Sequence, residues 1–231
     1  MRGLTTTFIT AALFSPVARA ALNAYAFGSA FSIGEFSPSS SLDIIKVTTT
    51  FTPGSPPTTQ KGELYVWPGL MTTNDEFLYT AVQQLSPSAC GGTATDWCLT
   101  AQYVGAAGLL SGSYAAIDGT VPVTLEFTQN ANNTWTHTVI MKGAVISQLV
   151  QPIGRPTTFG IANECFDECA TTTSSQKYTN TTIVLGTATS TFGETALASD
   201  AGTTFSTPTT SDGGKTWQIA TITVPKGTSQ D

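Results

Sequence analysis

Few residues in this sequence could do acid–base chemistry. His137 is the one histidine of 231 residues, and charged residues make up 10% of the chain. A nucleophile activated by histidine would depend on His137, and no Gly-x-Ser-x-Gly segment is present to supply a serine elbow. One imidazole cannot form a histidine-based metal cluster, so we expect no metal and no cofactor. The carboxyl groups left for proton transfer are Glu63, Asp75, Glu76, Asp96, Glu126, Glu164, Asp167 and Glu168.

Aromatic side chains are a second set of candidates, and Trp67 is the most informative of them. In GELYVWPGL it comes directly before Pro68 and Gly69, where a strand should end. A tryptophan at that position is typical of a pocket rim rather than of a core. Alternation places further aromatic, amide and ionisable side chains on the corresponding faces of other strands. The predicted groove is lined by Tyr65, Trp67, Tyr79, Gln83, Trp97, Tyr103, Glu126 and His137.

Such a groove would bind a flat or ring-shaped ligand by stacking, with a few polar groups fixing its orientation. The competing interpretation is that Trp97, Trp135 and Tyr103 are ordinary core aromatics, and that His137 is structural. An apolar small molecule is therefore the partner that we expect.

The elements that must position these residues are short and alternating. Runs rich in Val, Ile, Thr, Tyr and Phe are separated by Gly, Pro and Asn, with no convincing helical period. This predicts an all-β chain, an antiparallel sandwich or jelly roll of the concanavalin-like kind, as a single domain over 21–231. The predicted strands are 25–36, 43–51, 63–67, 76–85, 97–104, 121–128, 134–141, 145–151, 157–162, 178–185 and 217–224. The polar stretch 186–214 is either an excursion or a lid-like flap.

The first twenty residues have the features of a secretory leader: an early arginine, an apolar stretch and the small-x-small site Ala18-Arg19-Ala20. We therefore predict a signal peptide over 1–20 and a protein that is secreted or held in the secretory lumen. The net charge of −6 gives no attraction for nucleic acid, and no segment is apolar enough to span a membrane. The oligomeric state stays open, with a homodimer as one option.

Cysteines and sequons agree with export. Cys90 with Cys98, and Cys165 with Cys169, form two close pairs that indicate disulfides, although four cysteines allow three connectivities. Asn132 and Asn180 each begin an Asn-x-Thr sequon and are predicted glycosylation sites.

Three classes of function fit these features: an enzyme that works on an apolar ring-bearing molecule by shape and hydrogen bonding, a glycan-active or glycan-binding protein, and a glutamic-type acid peptidase. The first needs little proton transfer, because holding two reactants in a reactive geometry itself lowers the barrier. A glycan hydrolase would need two facing carboxylates.

Several segments carry a resemblance to a known group: GELYVWPGL, FLYTAVQQL, DWCLTAQYVG, IANECFDEC and KYTNTTIVL. Together they resemble secreted fungal jelly-roll proteins that we associate with the hetero-Diels–Alderases of tropolonic sesquiterpene biosynthesis. The resemblance covers most of the mature chain in outline. It implies that a tropolone o-quinone methide adds to a humulene-type alkene, giving a dihydropyran.

For that reaction we expect Tyr65, Trp67, Trp97 and Tyr103 to clamp the reactants. Gln83 and His137 would hydrogen-bond a tropolone oxygen, and Glu126 or His137 would assist the loss of water that forms the methide.

The layout also resembles glutamic peptidases, in which strands bring a glutamine and a glutamate together. Gln83 or Gln84 with Glu164 would be the pair here. The peptidase signature around the glutamate is absent from this sequence.

Overall fold

The structure is a computed structural model, and it describes residues 25–59, 61–83, 89–166, 169, 174–200 and 202–227. The predicted signal peptide, Gln84, Asp167 and Glu168 lie outside the described residues.

Nearly all of the regular structure is strand. The longer strands are β1 Tyr25–Gly34, β2 Ile44–Thr52, β3 Glu63–Thr72, β4 Phe77–Gln83, β5 Trp97–Gly105, β8 Val123–Gln129, β9 Thr134–Met141, β10 Ala144–Pro152, β11 Pro156–Phe166, β12 Gln176–Leu185 and β16 Thr216–Val224. Shorter ones are β6 Gly108–Ser111, β7 Ala115–Ile117, β13 Leu197–Ala198, β14 Thr204–Phe205 and β15 Thr209–Thr210. A 3₁₀ turn lies at Phe192–Thr195.

These strands form two antiparallel sheets. Sheet A has the order β13-β1-β11-β3-β4-β5-β6, with β7 also paired to β5. Sheet B has the order β10-β9-β8-β2-β12-β16-β14, with β15 also paired to β16. Their inner faces enclose one hydrophobic core, so the predicted β-sandwich of the jelly-roll kind is confirmed.

Each of the eleven predicted strands corresponds to a strand of the structure, but two continue further than expected. We expected a strand to stop at Trp67, whereas β3 runs through Pro68 and Gly69 to Thr72. The pairing of β3 with β4 omits Trp67 and Pro68, resuming at Gly69 opposite Tyr79. This gap accommodates a proline, which has no N–H to donate. The strand predicted to end at Ala162 likewise continues to Phe166.

Alternation correctly sorts several strands into an inner and an outer face. Val123, Leu125 and Phe127 of β8 are buried in the core, and the residues between them are only partly covered. Two hairpin turns use residues with a positive φ: Asn133 closes β8–β9, and Lys142 and Gly143 close β9–β10.

The two local disulfides are confirmed, with Cys90 bonded to Cys98 and Cys165 bonded to Cys169. Disulfides are typical of proteins that fold in an oxidising compartment. Secretion itself stays a prediction.

The stretch 186–214 is not a flap over the groove. Its described part packs along one side of the sandwich, where β13 pairs with β1 and both β14 and β15 pair with β16. Phe192 anchors it by entering the core against Trp217, with a ring-centroid distance of 6.0 Å. Phe205 adds a second contact, with its ring centroid 5.0 Å from that of the core residue Phe31. The sequence is polar there because most of the stretch lies on the surface around these contacts.

Candidate functional site

The outer face of sheet A brings together side chains from distant parts of the chain. The register places Glu164 of β11 opposite Tyr65 of β3, and Tyr65 opposite Gln83 of β4. Partners in adjacent strands point to the same side of a sheet, and strands lie about 4.8 Å apart. The Cα atoms of Glu164 and Gln83 are therefore about 10 Å apart, within reach of one ligand.

A cavity of about 380 Å³ lies on this face. Its size is within the range of small-molecule sites. The cavity is mostly apolar. Its described lining has two amide side chains, Gln83 and Gln102, and one carboxyl, Glu164, and the other lining residues are aromatic or aliphatic. Val104 and Leu109 add aliphatic surface, and the aromatic lining comprises Phe27, Tyr65, Trp67, Phe77, Tyr79 and Tyr114.

Trp67 lies in the cavity beside a glycine and is held there by one hydrogen bond. A Cβ added at Gly160 would lie 3.8 Å from the six-membered ring of Trp67, so the indole extends along β11 beside this glycine. At its other end the indole Nε1 donates to Oε2 of Glu164 at 2.9 Å. Tyr79 meets Trp67 edge-on, with ring centroids 6.2 Å apart and planes inclined by 65°. Trp67 is therefore a half-buried part of the cavity wall.

Glu164 is the one carboxyl in the described lining of the cavity. Burial disfavours its charged form and raises its pKa to about 6, although the hydrogen bond from Trp67 works in the opposite direction. Its second oxygen has no hydrogen-bond partner among the described residues. A carboxyl in this state can donate or accept a proton near neutral pH.

The two amides of the cavity differ in their bonding. Gln102 donates from Nε2 to Ser111 Oγ at 2.8 Å, which fixes its orientation. Gln83 is 6% exposed, yet its side chain forms no hydrogen bond with another described residue. A nearly buried amide that lines a cavity without a partner is available to bind a ligand.

Four of the eight residues predicted for the groove lie in this cavity: Tyr65, Trp67, Tyr79 and Gln83. The other four lie elsewhere, so the prediction of one shared groove is wrong for them.

Trp97 and Tyr103 are on the opposite, core-facing side of β5. Trp97 is fully buried and donates to the carbonyl of Gly54 at 2.8 Å, while Tyr103 donates to Oε1 of Glu76 at 2.9 Å. Their strand partners explain the placement, because Tyr103 pairs with the buried Leu78. The cavity receives Gln102 and Val104 from the other side of the same strand.

His137 lies between the two sheets and has no exposed surface. It stacks on Phe127 at 4.0 Å, and its Nδ1 donates to the carbonyl of Glu126 at 3.2 Å. The neutral ring then accepts a hydrogen bond at Nε2 from Thr80 Oγ1 at 2.9 Å. Burial lowers its pKa to about 3. This histidine is a structural link between β9 and β4, out of reach of the cavity.

Glu126 belongs to sheet B, whereas the cavity is built on sheet A. It alternates with the buried Leu125 and Phe127, so its side chain faces away from the core. The role in forming a methide that we expected for Glu126 or His137 does not fit these positions.

Sequence reasoning missed Phe27, Phe77, Gln102, Val104, Leu109 and Tyr114 as cavity residues. It named Glu164 as a carboxyl available for proton transfer and as a peptidase candidate, but did not place it in the groove. A usable signal was present in β5: Trp97, Leu99, Ala101 and Tyr103 form the more apolar face, which favours burial.

The two sequons lie on the other sheet. Asn132 is exposed in the β8–β9 turn, and Asn180 is exposed on β12 with a positive φ of 54°. Both positions are accessible on the surface of sheet B, and their glycosylation stays a prediction.

Among the described residues, no group of three or more His, Cys, Asp or Glu side chains could hold a metal ion. The described part of the chain also has no helix of the length and apolarity needed to cross a membrane.

No protein-family model and no curated protein sequence matches the chain. Among solved structures it is similar to a Scytalido-glutamic peptidase bound to a peptide-based transition-state analogue, with a TM-score of 0.49 and 13% identity over 84% of this chain and 97% of that one. It is also similar to a Bacillus licheniformis β-glucanase (TM-score 0.35, 8% identity, 80% of this chain and 66% of that one). A third is the Crh5 transglycosylase in complex with NAG (TM-score 0.39, 10% identity, 93% and 82%). At such identities the similarity concerns the fold alone, and the relationship to Diels–Alderases stays a prediction.

Proposed function

We propose that the chain is an enzyme that binds a largely apolar, ring-bearing ligand in the cavity of sheet A and exchanges a proton with it through Glu164. The observation that carries this proposal is the Trp67–Glu164 pair. It combines an aromatic wall with a carboxyl whose pKa of about 6 lies close to physiological pH.

The chemistry follows from the state of Glu164. Below pH about 6 the carboxyl is protonated and can act as a general acid, and above it the carboxylate can act as a general base. Trp67 orients the group by holding Oε2, which leaves the other oxygen for the ligand. The aromatic lining excludes water from the reacting atoms.

The narrower reaction that we place first is the intermolecular hetero-Diels–Alder addition of a tropolone o-quinone methide to a humulene-type alkene. The mostly apolar lining of the cavity supports it. Protonated Glu164 would donate its proton to the leaving hydroxyl of a hydroxymethyl tropolone. The ring hydroxyl would return a proton to the carboxylate, so that one water is lost for each methide formed. Gln83 would hydrogen-bond a tropolone oxygen and fix the face of attack.

This reaction is tested by incubating the purified protein with a hydroxymethyl tropolone and humulene and analysing the dihydropyran by chiral chromatography with mass detection. We expect Glu164→Gln to slow product formation by about 100-fold, and Trp67→Leu to erode stereoselectivity in a folded protein. Glu194→Gln, on the exposed 3₁₀ turn, is the matched control and should leave the rate unchanged. Product no faster than in buffer, or an unchanged product profile in Trp67→Leu, would rule the cycloaddition out.

A second candidate, peptide hydrolysis, is favoured by one specific observation: Gln83 and Glu164 flank Tyr65 in the same row of the sheet. In this reaction Glu164 would activate a water molecule and the Gln83 amide would donate to the oxygen of the peptide carbonyl. The test is release of peptides from an acid-unfolded protein across acidic pH, measured by mass spectrometry. Cleavage that is lost in both Glu164→Gln and Gln83→Leu would establish it, and absence of cleavage would remove it.

Glycoside hydrolysis by two carboxylates is less well supported. It needs a second acidic group facing the first across the sugar, and the described lining of the cavity supplies Glu164 alone.

A further inference from the structure

The described lining of the cavity has one acidic side chain, Glu164, and no lysine, arginine or histidine. The whole chain has 9 lysines and arginines and a net charge of −6. The electrostatic potential at this site therefore disfavours an anionic ligand and favours a neutral or positively charged one.

The cavity brings aromatic rings from several strands to one space. Trp67 and Tyr79 meet at 65° with their centroids 6.2 Å apart, which makes a corner of two rings. Phe27, Tyr65 and Phe77 also line the cavity, from β1, β3 and β4. The faces of aromatic rings carry partial negative charge, and a cation held over such faces is attracted to them.

From these two features we infer that the cavity recognises an organic cation, a quaternary ammonium group on an otherwise apolar ligand, held against the rings of Trp67 and Tyr79 and paired with the carboxylate of Glu164. This inference rests on the proposed function in one respect, the binding of a largely apolar ligand in this cavity beside Glu164. It names a cationic ligand in place of the neutral tropolone of the cycloaddition. The ammonium group would occupy the corner of the rings, and the apolar remainder of the ligand would lie along Phe77, Val104 and Leu109.

Among the described residues, none around Glu164 has a positive side chain that could already serve as its partner. On β3 it faces Tyr65 and Trp67, and the Tyr65 hydroxyl donates to a second carboxylate, Glu63. On β1 the paired residue is Phe27. None of these described groups is cationic, and desolvation raises the pKa of Glu164 to about 6. A bound ammonium would favour the ionised carboxylate, so binding below that pH would release a proton.

The inference is tested by calorimetric titration of the full chain with two probes of the same shape: choline, and its uncharged carbon analogue neohexanol. At about pH 7.5 we expect choline to bind about tenfold more tightly than neohexanol. At about pH 4.5 the choline affinity should fall by about tenfold, because Glu164 is then protonated. Neohexanol affinity should be the same at both values.

Three variants distinguish the contribution of the ligand's charge to binding from that of its shape. Glu164→Gln should reduce the preference for choline and abolish its pH dependence, while neohexanol still binds. Trp67→Leu should weaken choline more than neohexanol, and Glu194→Gln should behave as the parent protein.

Each other outcome is decisive. Equal affinities for the two probes would overturn the cation inference and leave the proposed function standing. A choline preference that is undiminished in Glu164→Gln would overturn the pairing with that carboxylate. If neither probe binds, the cation inference is wrong, whereas the proposed function fails only if Glu164→Gln leaves turnover unchanged.

Discussion

The Trp67–Glu164 pair on the outer face of sheet A and the Thr80–His137 pair between the sheets invite comparison. Each pair contains one ionisable group that is buried, Glu164 in part and His137 completely. In both, burial disfavours the charged form, raising the pKa of Glu164 to about 6 and lowering that of His137 to about 3. Judged by the perturbation alone, His137 would be the better candidate for a functional site.

The bonding of the two groups reverses that judgement. Both ring nitrogens of His137 are occupied, by Thr80 and by the Glu126 carbonyl, and Phe127 covers the ring face. Glu164 has one bonded oxygen and lines an accessible cavity. A shifted pKa indicates function only where the titrating atom can also reach a ligand.

The largest effect that separates the two regions should come from their tryptophans. Trp135 lies on the same buried face of β9 as His137 and is 1% exposed, so Trp135→Ala should lower the free energy of unfolding by about 3–5 kcal/mol. Trp67 is half-buried beside the cavity, and Trp67→Ala should cost about 1–2 kcal/mol while abolishing ligand binding. Chemical denaturation of the two variants measures the difference. Equal losses would mean that Trp67 is a core residue after all.

The second effect concerns acid stability. The folded-state pKa of His137 is depressed, so the unfolded chain binds the additional proton first. The contribution of this buried neutral ring is therefore complete above pH about 6.5 and is lost as the pH falls towards about 3, by a few kcal/mol in total.

Comparison of the parent protein with His137→Gln isolates this contribution, because the other titrating groups are common to both. The variant should be less stable at neutral pH, since Thr80 loses its partner. Its free energy of unfolding should fall less steeply with acid. Parallel stability curves for the two proteins would show that His137 does not titrate as the structure implies.

Much of this architecture can be predicted from the sequence, because the faces of a strand and the residues of a turn are determined by neighbouring positions in the chain. Runs such as Val123, Leu125 and Phe127 specify a buried face within a single strand. The turn at Lys142-Gly143 needs two residues with positive φ, and a glycine supplies one of them readily.

The site was less predictable because it depends on which face of each strand turns inward. In β5 alternation groups Trp97 with Tyr103, but the grouping alone does not say whether these rings meet the core or the cavity. Glu164 is two residues past the predicted end of its strand, and only the long-range register with Tyr65 places it in the cavity. Such pairings join residues about a hundred positions apart, which no local pattern specifies.

The smallest effect, and the one opposite in sign, belongs to Glu164. Its folded-state pKa of about 6 is above the ordinary glutamate pKa of 4.5, so the folded protein takes up the proton more readily than the unfolded chain. The stabilisation is fully present below pH about 4.5 and is lost as the pH rises through about 6, by about 1–2 kcal/mol. Glu164→Gln should not show this loss, because the amide does not ionise. The free energy of unfolding of the variant, relative to that of the parent, should therefore increase as the pH rises from about 4.5 to about 6.

Denaturation midpoints of the parent, Glu164→Gln and the exposed control Glu194→Gln, followed across that interval, provide the measurement. The two groups should respond to acid with opposite signs. As the pH falls over this range, the stabilisation from the buried neutral His137 should decrease, and that from Glu164 should increase. If Glu164→Gln shows the parent's loss of stability on going from acid to neutral pH, the carboxyl is already ionised in acid. The cavity would then lack the proton on which the proposed chemistry depends.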